Sequence, residues 1–185
     1  MFEIEVTEKL RLREIEMSDG VNVFALINRD RAYLREWLPF IDYTRIVEHT
    51  EAFIKNVYTQ VGDRLEIVYV INYENEMVGL ISYKNIDHTN HKIELGYWLS
   101  QNKQGHGIVT NSCKKMIDLA LTTMNMNRVY IRCAINNSKS SKIPKRLGFK
   151  FEGIERQGEY LNGHYVDLET YSILKSEWLE SSFKN

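Results

Sequence analysis

Cysteine is nearly absent from this chain: its 185 residues include two, Cys113 and Cys133. Two cysteines build no disulfide framework, and these sit at no metal-ligand spacing, so a reducing cytoplasm is the expected setting. Proline is equally scarce, at Pro39 and Pro144, and there are ten glycines. That excludes collagen-like, low-complexity and disordered chains. No apolar run reaches the roughly 18 residues of a membrane span. Met1–Leu10 carries three glutamates and no apolar centre, which argues against a secretory signal. An excess of one charge is also lacking. The net charge is -1, whereas a dedicated nucleic-acid binder is usually strongly basic. None of the five histidines forms a His-x-x-x-His pair, so metal catalysis is not expected. What remains is a chain with 43% hydrophobic and 26% charged residues. Its length suits one domain, residues 1–185, with a single sizeable core.

The charge is unevenly placed. Met1–Gly20 holds six acids against three bases. From Leu95 to Ile117 there is no acid, while Lys103, Lys114 and Lys115 are present. From Asn137 to Phe151 there is again none, against Lys139, Lys142, Lys145, Arg146 and Lys150. Two acid-free windows in a near-neutral chain are either ordinary solvated faces or two halves of one anion site.

Periodicity orders the elements. Leu10–Ile15 alternates as a first strand. Ser18 is placed to cap a helix running to Asn28, with Val21, Phe24, Ala25 and Leu26 inward. Helical stretches follow near Ala32–Trp37 and over Val47–Gln60, the latter with Val47, Phe53, Ile54 and Val57 inward. Leu65–Asn72 and Met77–Tyr83 read as a hairpin around Tyr73–Glu76. In Lys92–Ser100, Ile93, Leu95, Tyr97 and Leu99 share one face, and Glu94, Gly96 and Trp98 the other. Gly96 inside that strand predicts a bulge or a close approach. Val109, Cys113, Met116, Ile117, Ala120, Leu121 and Met124 form a helical apolar stripe, which makes Cys113 a core residue. Val129–Ile135 alternates, Ser138–Leu147 is a short helix closed by Gly148, and Asn162-Gly163 joins two final strands through a type I′ turn. The whole is a mixed sheet with helices packed on it.

The chemistry concentrates at Gln104-Gly105-His106-Gly107-Ile108-Val109-Thr110, where a strand ends, glycines alternate and a helix opens. Free N–H groups at a helix N-terminus, reached across glycine, suit a phosphate. A Walker loop does not fit. A Rossmann loop would need glycine at Thr110 and an acid where Asn136 and Asn137 stand.

Gln104-Gly-His-Gly107-Ile-Val resembles the Gln/Arg-x-x-Gly-x-Gly/Ala acetyl-coenzyme A motif of the GNAT acetyltransferases, with Val109 replacing the final small residue. Asn137-Ser-Lys-Ser140, followed by Gly148-Phe149, resembles the family's second signature. Glu94–Leu99 and Gly153–Leu174 are similar to the RimJ/RimL branch, whose members acetylate ribosomal-protein N-termini. The resemblance implies a GNAT-type α/β (α+β) fold: a mixed, mostly antiparallel sheet of about seven strands flanked by helices. It implies acetyl-coenzyme A as co-substrate, without a metal. The amides of Gln104, Gly105, His106, Gly107, Ile108, Val109 and Thr110 would hold the pyrophosphate. Lys142 and Lys145 would face the far phosphate, and Asn137 and the Val129–Ile135 strand the pantetheine arm.

Glu94 shares a strand face with Gly96 and Trp98 beside the implied cleft, and is either the base, acting directly or through water, or a solvent-side strand glutamate. Glu66 is the second candidate, and an N–H at Trp98 or Leu99 would polarise the thioester. Many family members place an acidic tyrosine where this chain has Pro144. Ser140 would then protonate the leaving thiolate, unless it serves as a helix cap. Tyr33, Trp37, Phe40 and Tyr43 either pack or build the acceptor side. The implied acceptor is an amine, on a protein N-terminus or a small molecule such as a polyamine, with no nucleic acid or membrane involved. A homodimer is compatible with all of this, and a non-catalytic acyl-coenzyme A sensor is the rival from another class.

Overall fold

The computed structural model describes residues 3–59 and 66–182. It contains β1 (Glu3–Thr7), β2 (Leu10–Glu14), α1 (Gly20–Arg29), α2 (Arg31–Leu34), α3 (Val47–Thr59) and β3 (Glu66–Tyr73). These are followed by β4 (Glu76–Asp87), β5 (Lys92–Leu99), α4 (Ile108–Thr122), β6 (Arg128–Ala134), α5 (Ser138–Arg146), β7 (Lys150–Leu161), β8 (His164–Leu174) and α6 (Lys175–Ser182). Gln60 and Leu65, expected at element ends, lie outside the described residues.

The strands form one open sheet in the order β1-β2-β3-β4-β5-β6-β8-β7. Every neighbouring pair is antiparallel except β5 and β6, which run parallel. The sheet is thus mixed and mostly antiparallel, as expected, with eight strands in place of about seven. The added strand is β1, where Ile4 is buried while Glu3 and Glu5 face solvent. α6 is a second addition and seats Trp178 on the core.

Both faces of the middle of the sheet are covered. Ile71, Tyr83, Ile93 and Leu95 pack under α4 through Cys113, Met116, Ile117 and Leu121. Val68, Val70 and Leu80 pack under α1–α3 through Val23, Ile27, Ile54 and Val57. β3 and β4 are apolar on both faces because each face meets a helix layer.

The alternation of β5, Gly148 at positive φ beyond α5 and the Asn162-Gly163 turn stand as expected. The α4 stripe holds from Cys113 to Leu121, while Val109 is part-exposed at a cavity and Met124 lies past the helix end. The first helix does not. Ser18 is exposed and caps nothing. A 3-10 turn, Met17–Asp19, comes first, and Asp19 accepts the Glu16 N–H at 2.8 Å while Arg13 holds its carboxylate at 2.7 Å. α1 buries Val23, Leu26 and Ile27, and leaves Val21 58% exposed and Ala25 on the surface. In α3, Phe53 faces solvent and Thr50 is inside. There is no bulge at Gly96, since β5 pairs with β4 in unbroken register from Glu94 to Leu99. The close approach at Gly96 is made by the Lys84 stem, whose Cε would stand 3.1 Å from an added Cβ.

Candidate active site

The parallel pairing of β5 and β6 lasts three residues, Lys92↔Arg128 to Glu94↔Tyr130, and then stops. Beyond it a cavity of about 540 Å³ opens between the strands. Ser100 donates its N–H to the Val78 carbonyl at 2.7 Å. Counting back through the regular ladder, the N–H groups of Trp98 and Gly96 also point to β4, and those of Leu99 and Tyr97 to the open side. Trp98 therefore cannot polarise a group in the cleft through its N–H, whereas Leu99 can. The Trp98 side chain lines the cavity instead.

The loop Gln104–Gly107 forms one wall. Gly105 and Gly107 both have positive φ, +82° and +72°, the left-handed region that glycine occupies without strain. Gly107 stands at the N-cap of α4, so the first turn of that helix, Ile108, Val109 and Thr110, aims its free N–H groups at the cavity. No acid lies in that turn. The two acid-free windows meet here: Lys103 lines the cavity from one, and Lys139, Lys142 and Arg146 from the other. Lys103 is held by Glu76 at 2.7 Å, Lys139 donates to the Gln104 amide oxygen at 3.0 Å, and Arg146 donates to the Thr110 hydroxyl at 2.7 Å. The donor set fits a multiply charged phosphate ligand.

Two expected contacts are not in the lining. The His106 ring stacks on Tyr73 at 6.2 Å, because the turn at Gly105 swings it to the β3–β4 hairpin. Lys145 lies over the Tyr171 ring at 5.5 Å, on the other side of α5. Glu66 does not line the cavity either; it starts β3 opposite Lys84.

Glu94 does line it, 7% exposed, but its carboxylate is fully engaged. It accepts from Arg132 at 3.2 and 3.0 Å and from the Asn85 amide at 2.6 Å. Arg132 also reaches Glu155 at 3.0 Å. A different carboxylate, Glu159, is half-buried in the lining with no such clamp. Burial pushes its carboxyl above the usual range, against the pull of Lys84 and Arg132. Sequence reasoning missed Glu159. β7 carries two more residues than β8 between Glu155 and Glu159, and the only sequence trace of that irregularity is Gly158 in a strand.

On the α5 side, Asn137 lines the cavity and caps the helix, its side chain accepting the Ser140 N–H at 3.0 Å. Ser140 is therefore not the cap, and its hydroxyl turns to the Tyr97 oxygen, beside the Cys133 thiol. Cys133 also lines the cavity, and burial pushes its thiol up to about 11. Cys113 is fully buried in the core, as expected.

Tyr33, Trp37 and Phe40 close the opposite wall; Tyr43 is exposed and outside it. That wall is tied to the phosphate-type loop. Asp30, between α1 and α2, accepts from the Ser100 hydroxyl and from the Gln101 N–H at 3.1 Å. Burial pushes the Asp30 carboxyl up, but these bonds and Arg29 outweigh it and hold it below the usual range. Among the described residues no group of three or more His, Cys, Asp and Glu side chains could hold a metal, and no helix is long and apolar enough to cross a membrane.

Residues 9–150 match the family model described as the acetyltransferase (GNAT) domain. YdaF of Bacillus subtilis (strain 168), provisionally named a ribosomal N-acetyltransferase, is 36% identical over 96% of this chain and 98% of that protein. The ribosomal-protein-serine acetyltransferase of Escherichia coli (strain K12) is 27% identical over 91% of this chain and 94% of its own length. The spermidine N(1)-acetyltransferase of the same organism is 26% identical, with 92% and 88% covered. Among solved structures, the ribosomal L7/L12 alpha-N-protein acetyltransferase RimL in complex with coenzyme A superimposes with a TM-score of 0.89 at 28% identity, covering 94% of this chain and 98% of that one.

Proposed function

Since the chain belongs to the GNAT acetyltransferase family and is an acetyl-coenzyme A-dependent N-acetyltransferase, we propose that its acceptor is the α-amine at a protein N-terminus. The observation that carries this is the charge balance of the mouth opposite the phosphate-type loop. There Lys84 and Arg132 stand against Glu94 and Glu159. Glu155, outside the lining, also pairs with Arg132, so two cations stand against three acids and one negative charge is in surplus, too little for a polyamine, which brings several positive charges. A single α-amine needs one carboxylate. The ribosomal-protein relatives point the same way.

Each group then has a task. The N–H groups at Gly107–Thr110, with Lys142 and Arg146, hold the coenzyme's phosphates. Asn137 and the open edge of β5 face its pantetheine arm. Bound acetyl-coenzyme A supplies an acetyl thioester, which the neutral amine attacks as the carbon–sulfur bond breaks. Glu159 takes the proton from the ammonium, because burial raises its carboxyl toward the working pH. Glu94 is too tightly held by Arg132 and Asn85 for that task and fixes Arg132 instead. The Leu99 N–H polarises the acetyl carbonyl. Ser140 offers its hydroxyl to the departing sulfur.

The test is acetyl transfer to synthetic N-terminal peptides, to their N-blocked forms with a free lysine, and to spermidine, read by mass spectrometry and thiol release. Free N-termini are expected to be acetylated at the α-nitrogen. Preferential acetylation of spermidine, or of lysine side chains, would overturn the acceptor assignment.

A further inference from the structure

Pro144 leaves a gap in α5 that a tyrosine from β5 fills. In a regular helix residue 144 would donate its N–H to the carbonyl of Ser140. Proline has no N–H, so that carbonyl loses its helical donor. Tyr97 supplies the missing bond: its hydroxyl donates to the Ser140 carbonyl at 3.1 Å. The Ser140 hydroxyl donates in turn to the Tyr97 oxygen at 3.3 Å. Both residues line the cavity. Tyr97 stands beyond the point where β5 and β6 part, so its side chain ties β5 to the first turn of α5 across the back of the cleft.

The two bonds differ in kind. The bond to the carbonyl anchors Tyr97. The bond from the Ser140 hydroxyl is long for two hydroxyls, and an anionic acceptor nearby forms a shorter and roughly twice stronger one. We propose that Tyr97 is a positioning residue for thiolate departure, holding the Ser140 hydroxyl at the sulfur end of the cleft until the charge develops there. The proposal rests on the reading of Ser140 given above. In turnover the Ser140 O–H swings from the Tyr97 oxygen to the sulfur as the carbon–sulfur electron pair arrives on it. Neither hydroxyl loses its proton; the proton that the nitrogen sheds on becoming an amide passes to water, and the thiolate takes one from water after release. Burial keeps the Tyr97 phenol well above the ordinary tyrosine range, so a thiolate whose parent thiol titrates near about 8.5 does not deprotonate it.

Pro144 makes a structural role separable from a positioning role. Replacing Pro144 with alanine restores an N–H for the Ser140 carbonyl without touching the Ser140 hydroxyl. The proteins to compare are Tyr97→Phe, Ser140→Ala, Tyr97→Phe with Ser140→Ala, Pro144→Ala, and Tyr97→Phe with Pro144→Ala. Each is assayed for kcat, for KM with acetyl-coenzyme A, and for melting temperature.

Tyr97→Phe is expected to lower kcat about tenfold, the worth of one good hydrogen bond in the transition state, with KM for acetyl-coenzyme A within about twofold. In the Ser140→Ala background it should cost nothing more. Its lowered melting temperature should recover when Pro144→Ala is added, and kcat should not. Recovery of kcat together with melting would reduce Tyr97 to a helix support and overturn the proposal. So would a full rate in Tyr97→Phe, or an equal loss with and without Ser140. If Ser140→Ala turns over at the parent rate, the Ser140 reading fails and Tyr97 with it; if it is slow while Tyr97→Phe is not, Tyr97 alone fails. Should Tyr97→Phe not fold, its combination with Pro144→Ala is the folded protein on which the same comparison is made.

Discussion

Replacing Glu94 with glutamine separates holding from proton transfer. The Glu94 carboxylate accepts three bonds, two from Arg132 and one from Asn85. Glutamine keeps one oxygen and turns an NH2 group toward donors. Breaking a fully buried ion pair costs about 3–5 kcal/mol, because the partner's charge is stranded. Here the Arg132 side chain is 30% exposed and keeps Glu155, so the loss is discounted to about 2 kcal/mol. In a chain of this length that lowers the melting temperature by about 4–8 °C. Turnover should fall only modestly, with the same deficit at every pH, because the proton leaves through Glu159. Glu159→Gln should behave in the opposite way: little change in melting, and kcat near pH 7 down by about 100-fold. That deficit should shrink above about pH 8, where an α-amine is already neutral. Thermal unfolding and pH-rate profiles on both variants decide it. If Glu94→Gln melts like the parent yet turns over about 100-fold more slowly, with a deficit that closes at high pH, Glu94 is the base and the clamp argument is wrong.

Acetyl-coenzyme A at about 100 times its Kd should add about 2.7 kcal/mol of stability, seen as a rise in melting temperature; equal rises with NAD and ATP would deny the loop its specificity. Gly79→Ala should destabilise by about 1–3 kcal/mol and raise KM for acetyl-coenzyme A, since its Cβ would stand 2.2 Å from the Trp98 carbonyl oxygen and 3.0 Å from the Leu99 Cα, both backbone atoms. Unaltered melting of that variant would show that β5 gives way freely. The depressed Asp30 carboxyl contributes stability above its unfolded pKa of about 3.9, and that contribution is lost as pH falls through the lower folded value. Asp30→Asn should therefore be less stable at neutral pH and lose less on acidification; parallel curves for the two proteins would exclude the Ser100 and Gln101 bonds as the cause.

Local periodicity was a good guide where one face of an element is plainly apolar. The α4 stripe is such a case, with Cys113, Met116, Ile117, Ala120 and Leu121 all buried. It failed at α1, where Val21, Val23, Phe24, Ala25, Leu26 and Ile27 offer apolar groups around most of the helix. There docking on β3 and β4 chose the face. β1 alternates Glu3, Ile4, Glu5 and Val6, a run too short to mark a strand by itself, and its pairing with β2 is what makes it one. α3 shows the same limit in reverse: Thr50 is buried because its hydroxyl can bond the Gly20 carbonyl at 2.8 Å, a partner 30 residues distant.

The phosphate-type loop follows from its own residues, since left-handed turns at Gly105 and Gly107 and the helix opening behind them are local properties of glycine and periodicity. The helix α5 and its close at Gly148 follow in the same way, but where Ser140 was the candidate cap, Asn137 takes that place. Which residues share the cavity depends on contacts between distant segments. The parting of β5 from β6 is a matter of pairing between strands, and it exposes the Leu99 N–H and not that of Trp98. Glu159 and Glu94 are both glutamates on strands. Glu94 is hydrogen-bonded by Arg132 and Glu159 is not, because Arg132 follows two residues after Tyr130, the β6 partner of Glu94. Tyr97 lies 43 residues from Ser140, and Pro144 is what leaves the Ser140 carbonyl for it. Turns and caps bond within a few residues and are written locally. Charge partners and hydroxyl pairs join distant segments, so their geometry exists only once the sheet has closed around them.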